Sequence, residues 1–371
     1  MFRSLSNHGR EKTYGKTGRH LVTLTMNMYN FGSSVVYMVL AAGNIETLLT
    51  DVTKDISFCY WLMILTFILV PIICLGTPKD FWPIGVGATL KDNSHNKGTT
   101  VHSDVGIQKF SSAFGTMVFA VSGHSVFPTI ITDMEKKEDF KIAALLGYGI
   151  VLMMYIPTAM SGYFVYGSNV DVNIIKSISA GPLAYVVEIL VTLHLLLGFI
   201  IYMNPVCQQF EAKVGVPKAF TWKRCIVRPL IVLVVLFIAE SVPHFGSILS
   251  LVGGSTTTLL SYVFPCLFYM KLCKSSGNKT VDPSSSSHRV EFSAQNDDAP
   301  SSSKQNVQAK FDPQPSSELI LIPLWQKVLN IEIICIGIIG GLAATVSAII
   351  AIATPDSLSV PCYVSLNGAG S

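Results

Sequence analysis

Apolar stretches about as long as a bilayer is thick constrain this chain more than any other feature. A helix rises 1.5 Å per residue, so ~30 Å of hydrocarbon takes on the order of 20 apolar residues. From Ile333 to Ala353, for example, no residue is charged. Over the 371 residues 50% are hydrophobic and 13% are charged, with a mean hydropathy of +0.50. A soluble domain carries about 25% charged residues, so a soluble fold is excluded and the chain reads as an all-α polytopic membrane protein. Spans are expected at roughly 21–42, 58–76, 113–132, 141–166, 183–203, 225–241, 246–270 and 325–354.

The remaining segments divide the chain. Residues 1–20 are polar and basic, without the apolar centre of a cleavable signal, so the first span is expected to serve as its own insertion signal. Residues 21–270 form the transmembrane core. Residues 271–323 include Ser284–Ser287 and Ser301–Ser303 and bury too little to order themselves, which predicts a disordered loop. A last helix at 324–354 precedes a tail at 355–371. The net charge of +3 is too small to suggest nucleic acid, and no metal spacing is present. The eight cysteines include Cys74, Cys207, Cys225, Cys266, Cys273 and Cys335 in or beside apolar runs, where cysteine acts as a small hydrophobe. No disulfide framework is expected.

Orientation follows from lysine and arginine, which concentrate on the cytoplasmic side. Arg3, Arg10, Lys12, Lys16 and Arg19 place the N-terminal segment inside. Simple alternation over eight spans then puts Lys136, Lys137, Lys213, Lys218, Lys223 and the whole 271–323 loop outside. One further crossing between residues 76 and 113 moves all of them to the cytoplasm and the tail to the other side. That interval holds the apolar run Phe81–Leu90, about half a span, which stops at Lys91-Asp92. It reads either as the remnant of a transmembrane helix or as a short re-entrant or interfacial segment, and the charge pattern favours the helix.

The segment Phe114–Met134 is apolar enough to insert, yet its middle reads Ser122-Gly123-His124-Ser125, with Pro128 soon after. Glycine and proline weaken a helix, and small hydroxyls offer the backbone other partners. Irregular main chain survives at membrane depth only if it is buried in protein or lines a watery cavity. The segment is therefore either a proline-kinked packing helix or a broken helix whose dipole ends bind a zwitterion.

From Phe114 to Met134, and through the span ending Gly162-Tyr163-Phe164-Val165-Tyr166-Gly167, the sequence resembles the amino acid/auxin permease family. The likeness is nearest to its animal branches, the proton-coupled and vesicular inhibitory amino acid transporters. It extends over nearly the whole chain from about Gly18. The resemblance implies a leucine-transporter-like inverted-repeat fold, with the substrate held between broken helices one and six, and 114–134 as the sixth. On that alignment helices one and two have no counterpart, and most of helix five is missing. An incomplete version of that fold is expected. The implied substrate-binding residues are Thr116, Ser122, Gly123, His124 and Ser125.

Other polar residues inside spans add candidates. Asn27, Asn30 and Ser33 or Ser34 lie near one helical face at i, i+3 and i+6 or i+7, either lining a cavity or joining helices by hydrogen bonds. Glu188 and His194 are candidates for carrying a coupling proton, or for a structural pairing. Arg228 is near enough to its helix end to snorkel to the cytoplasmic interface. Gly253-Gly254-Ser255-Thr256-Thr257-Thr258 reads as a flexible gate or a close-packing contact. No phosphate-binding loop motif occurs, so nucleotide drive is not expected. Ser122-Gly123-His124-Ser125 sets hydroxyls beside an imidazole, but adjacent residues leave a helix on different faces, so an enzyme is not expected.

The expected function is secondary active transport of small neutral amino acids. Protons as the coupling ion come from the resemblance alone. Partners are then an amino acid, protons and the lipid bilayer, with no cofactor; the compartment is the plasma membrane or an acidic organelle. The alternative is a transport-inactive truncated form acting as a sensor or partner subunit.

Overall fold

The computed structural model describes residues 7–49, 56–72, 105–123, 127, 130–131, 134–178, 181–217, 221–242, 244–278, 322–354, 362 and 364. Of the expected disordered loop, residues 279–321 lie outside these residues, as do the apolar run at 81–90, His124 and Ser125, while residues 271–278 are helical, continuing the helix that precedes them. Every regular element among the described residues is helical. In chain order the α-helices are α1 (Asn7–Leu49), α2 (Phe58–Ile72), α3 (Ile107–Ala120), α4 (Phe140–Tyr166), the single turn α5 (Ile174–Ser177), α6 (Pro182–Val214), α7 (Trp222–Ser241), α8 (Phe245–Val252), α9 (Phe264–Asn278) and α10 (Leu324–Ala353), with 3-10 turns at Lys137–Asp139 and Gly167–Asn169 flanking α4. Two π-helical stretches, Gly253–Thr257 and Leu259–Val263, join α8 to α9. Tyr14–Leu49, Lys137–Asn169, Ala184–Val214, Phe245–Cys273 and Leu324–Ala353 are each long and apolar enough to cross a membrane. The protein is an all-α polytopic membrane protein.

Local sequence sets the helix ends. α1 bends at Tyr14-Gly15, where Gly15 takes a φ of 62° open to glycine alone at little strain. Pro182 opens α6, where the missing N–H has no helical partner to lose. Gly215 closes α6 in the left-handed conformation, and the Val216 N–H returns to the Glu211 carbonyl.

In hydrocarbon, helix contact gains nothing from removing apolar surface from water, so it depends on close approach and interhelical hydrogen bonds. α1 and α6 run antiparallel as the central pair: Asn27 on α1 donates to Gln209 on α6, and Tyr37 packs edge-on against Tyr202. Tyr29, Phe199, Met38, Leu62, Met203 and Val235 fill the core around them. The glycine-rich joint after α8 is a close-packing contact. A methyl on Gly115 would sit 2.6 Å from the Ser250 carbonyl oxygen, and one on Gly254 would sit 2.7 Å from the Ala344 side chain. Thr256 and Thr257 donate to the Val252 carbonyl, and Thr258 to that of Gly253, satisfying main chain that a regular α-helix would have paired.

Two expectations are corrected. Cys59 and Cys362 form a disulfide with their Cα atoms 5.5 Å apart, bridging 303 residues of sequence. Arg228 does not snorkel: it is buried and donates to Glu211 of α6 at 2.7 Å, with Arg224 completing the pair at 3.2 Å. Turning inward pairs the Arg228 guanidinium with the Glu211 carboxylate across α6 and α7, so that each of the two buried charges meets the other.

The disulfide lies where several segments meet. Cys362 also donates its N–H to the Glu240 carbonyl at the end of α7, Glu46 accepts the Phe58 N–H, and Asn44 accepts from Asn173. All these segments gather at one end of the bundle. α2 begins at that end and α3 also enters from it, since Ser112 and Thr116 share a cavity there with Phe58.

Candidate functional site

The helical main chain of α3 stops at Ala120. Val121 has left the regular conformation (φ −98°, ψ 18°), and the Ser122 N–H turns back to the Phe119 carbonyl at 3.1 Å. Helical residues reappear at Phe127 and Ile130. The segment is therefore broken where its small hydroxyl and glycine residues stand.

Three tyrosine hydroxyls converge on the break. Tyr29 of α1 pairs with Ser122 Oγ at 2.6 Å. From α4, Tyr148 donates to the Val121 carbonyl at 3.2 Å, and Tyr155 reaches the Ala120 carbonyl at 3.5 Å, the limit of hydrogen-bonding distance. These carbonyls are the ones a helix end leaves without an intrahelical donor. Their satisfaction by hydroxyls on a neighbouring helix keeps open main chain tolerable at this depth.

A cavity of about 590 Å³ lies beside the break. Ser122, Gly123 and Phe119 form one wall, Tyr37 and Tyr202 another, and Ala143, Ala144 and Gly147 of α4 a third, small-residue wall. A methyl built on Gly123 would meet no atom within 4 Å, so this position faces open space. None of the described residues lining the cavity is Asp, Glu, Lys, Arg or His. The rings of Tyr29 and Tyr37 both stand edge-on to Tyr202, at 5.8 and 5.3 Å between centroids, a favourable geometry that fixes where their hydroxyls point.

The structure separates the expected site residues. Ser122 and Gly123 line this cavity. Thr116 instead faces a second cavity nearer the disulfide, and its hydroxyl donates to the Ser112 carbonyl. Asn27 is an interhelical hydrogen-bonding residue, and Ser33 donates to the Tyr29 carbonyl; neither lines a described cavity, nor does the half-buried Asn30. Glu188 is buried, and its Oε1 has no hydrogen-bond partner among the described residues. His194, six residues on, lies on the exposed face of α6. The residues missed are Tyr29, Tyr37, Tyr148, Tyr155 and Tyr202. Tyr29 and Tyr37, with Ser33 between them, follow i, i+4, i+8 spacing, a helical face as regular as the one formed by Asn27, Asn30 and Ser33.

Residues 2–284 match the family described as transmembrane amino acid transporter protein. Among similar proteins of Arabidopsis thaliana, amino acid transporter AVT1B is 21% identical over 70% of this chain and 52% of its own length. Amino acid transporter AVT3C is 30% identical over 46% of this chain and 38% of its own length. Lysine histidine transporter-like 3 is 32% identical over 44% of this chain and 39% of its own length. The chain thus spans about half the length of these relatives, or less.

Proposed function

The chain belongs to the transmembrane amino acid transporter family, and on that premise we propose that it carries small neutral amino acids across a bilayer by secondary active transport, with the broken end of α3 as the substrate site. The observation behind this reading is the convergence of the Tyr29, Tyr148 and Tyr155 hydroxyls on the Ala120–Ser122 main chain. An incoming ammonium group takes the Ala120 and Val121 carbonyls in place of the tyrosines, and the released hydroxyls turn to donate to the substrate carboxylate. Both charges are then met by dipoles. A side chain with its own charge would enter a cavity with no opposite charge on its described walls, at a desolvation cost of several kcal/mol. The small wall at Ala143, Ala144 and Gly147 leaves room for a short apolar side chain.

Protons are the proposed coupling ion and Glu188 the proposed carrier, because a buried carboxyl whose Oε1 has no hydrogen-bond partner among the described residues is most easily accommodated when protonated. The compartment is the plasma membrane or an acidic organelle. The Cys59–Cys362 bond suits an end facing the exterior or an organelle lumen, where disulfides persist. Uptake of labelled amino acids into proteoliposomes, with and without an inward proton gradient, tests the reading. Accumulation of neutral amino acids under the gradient is expected; no uptake of any of the twenty overturns it.

A further inference from the structure

The second cavity, of about 460 Å³, opens at the disulfide end of the bundle and differs in character from the central one. Lys176 of α5, Glu46 of α1, Asp171 and His244 all stand on its wall. Val39, Leu40 and Phe245 supply an apolar floor, and Ser112 and Thr116 connect it to the outer half of α3.

The rim is built rather than loose. Asn173 donates to Asn44 Oδ1 at 2.7 Å, and its own carbonyl-type oxygen accepts the Ile175 N–H at 3.2 Å, capping α5. Asp171 accepts the Asn173 N–H at 2.8 Å and donates its own N–H to Ser177 Oγ at 2.8 Å. Lys176 is thereby carried over α1, where a methyl on Gly43 would lie 4.0 Å from its Nζ. Its ammonium acts electrostatically on Glu46 and also on the buried Glu188 of α6.

A free α-amino acid bears a cation and an anion at fixed separation, whatever its side chain. A cavity presenting a lysine and two carboxylates attracts both ends, whereas a simple anion or cation meets a like charge as well as an opposite one. The central cavity has no such charges on its described walls, so charge-based capture belongs to the outer one. We propose that this outer cavity is a recognition site for the zwitterionic head of α-amino acids, with Lys176 holding the carboxylate and Glu46 and Asp171 the ammonium group. The amino acid as ligand rests on the transport reading above; the site and its residues do not.

The test is equilibrium binding of labelled alanine, with alaninamide (which lacks the carboxylate) as competitor, to the full chain in nanodiscs, and alanine uptake by the same proteins in proteoliposomes. Lys176→Gln is expected to weaken alanine binding about tenfold and to leave alaninamide competition unchanged, while Lys176→Arg restores alanine binding to within about threefold. Retention of the Cys59–Cys362 bond in each variant shows that the rim is folded. Alanine binding that is absent in the unsubstituted chain, unchanged in Lys176→Gln, or lost together with alaninamide competition overturns the proposal. Uptake with Lys176-independent binding overturns the outer site and leaves the transport reading standing. Lys176-dependent binding without uptake in any protein supports the outer site and removes the transport reading.

Discussion

The Tyr29 hydroxyl stands 2.6 Å from Ser122 Oγ, tying the middle of α1 to the point where α3 stops being a helix. Both side chains are buried, Tyr29 almost completely. The contact therefore holds two core elements in register and sets the geometry of the cavity wall. Tyr29→Phe leaves Ser122 without that partner and is expected to cost about 1–3 kcal/mol of stability. With the wall less fixed, the KM for uptake is expected to rise about five- to tenfold. Thermal unfolding and uptake kinetics on the same preparation check both.

The buried Arg228–Glu211 pair and the half-open Arg224 contact predict unequal responses. Arg228→Gln removes one partner of a desolvated pair and is expected to destabilise by about 3–5 kcal/mol. Arg224 keeps 20% of its side chain exposed, and Arg224→Gln is expected to cost under about 1 kcal/mol. Replacing both members of the buried pair, Glu211→Met with Arg228→Leu, is expected to recover most of the loss. Denaturation midpoints of the four proteins measure the contrast.

Because Cys59 and Cys362 close a very long loop, their bond restrains the unfolded chain strongly, by about 2–5 kcal/mol. Proteolysis under non-reducing conditions is expected to yield a linked peptide pair containing these two residues. A reductant is expected to lower the melting temperature of the unsubstituted chain and to leave that of Cys362→Ser unchanged.

Glu188→Gln fixes a neutral side chain at the proposed proton carrier. Gradient-driven uptake is expected to fall to the level seen without a gradient, while exchange of internal for external amino acid persists. Paired accumulation and exchange assays separate the two. Loss of both to the same degree assigns Glu188 to packing.

The helical architecture and the broken segment were legible because each rests on local chemistry: hydrocarbon-length apolar runs, and glycine, serine and proline inside one of them. Tyr29 escaped because α1 has polar residues on overlapping faces. Spacing alone does not distinguish 27, 30 and 33 from 29, 33 and 37; the partner helix α6 decides it, by placing Tyr202 beside Tyr29 and Tyr37. Arg228 read as an interfacial residue because its partner Glu211 lies on another helix, brought near by the α6–α7 turn. The disulfide was out of reach for the same reason on a larger scale, since 303 residues separate its cysteines. Thr116 and Ser122 share one segment, yet the packing of α1 and α4 divides them between two cavities.

That the break in α3 holds the substrate is tested most directly at Gly123, which faces the central cavity. Gly123→Cys, in a chain whose cysteines other than Cys59 and Cys362 are replaced, should react with a small thiol reagent. Neutral amino acids at saturating concentration should slow that reaction by about tenfold or more, while lysine and glutamate should leave it unchanged. Modification at the same rate with and without every neutral amino acid would contradict the assignment.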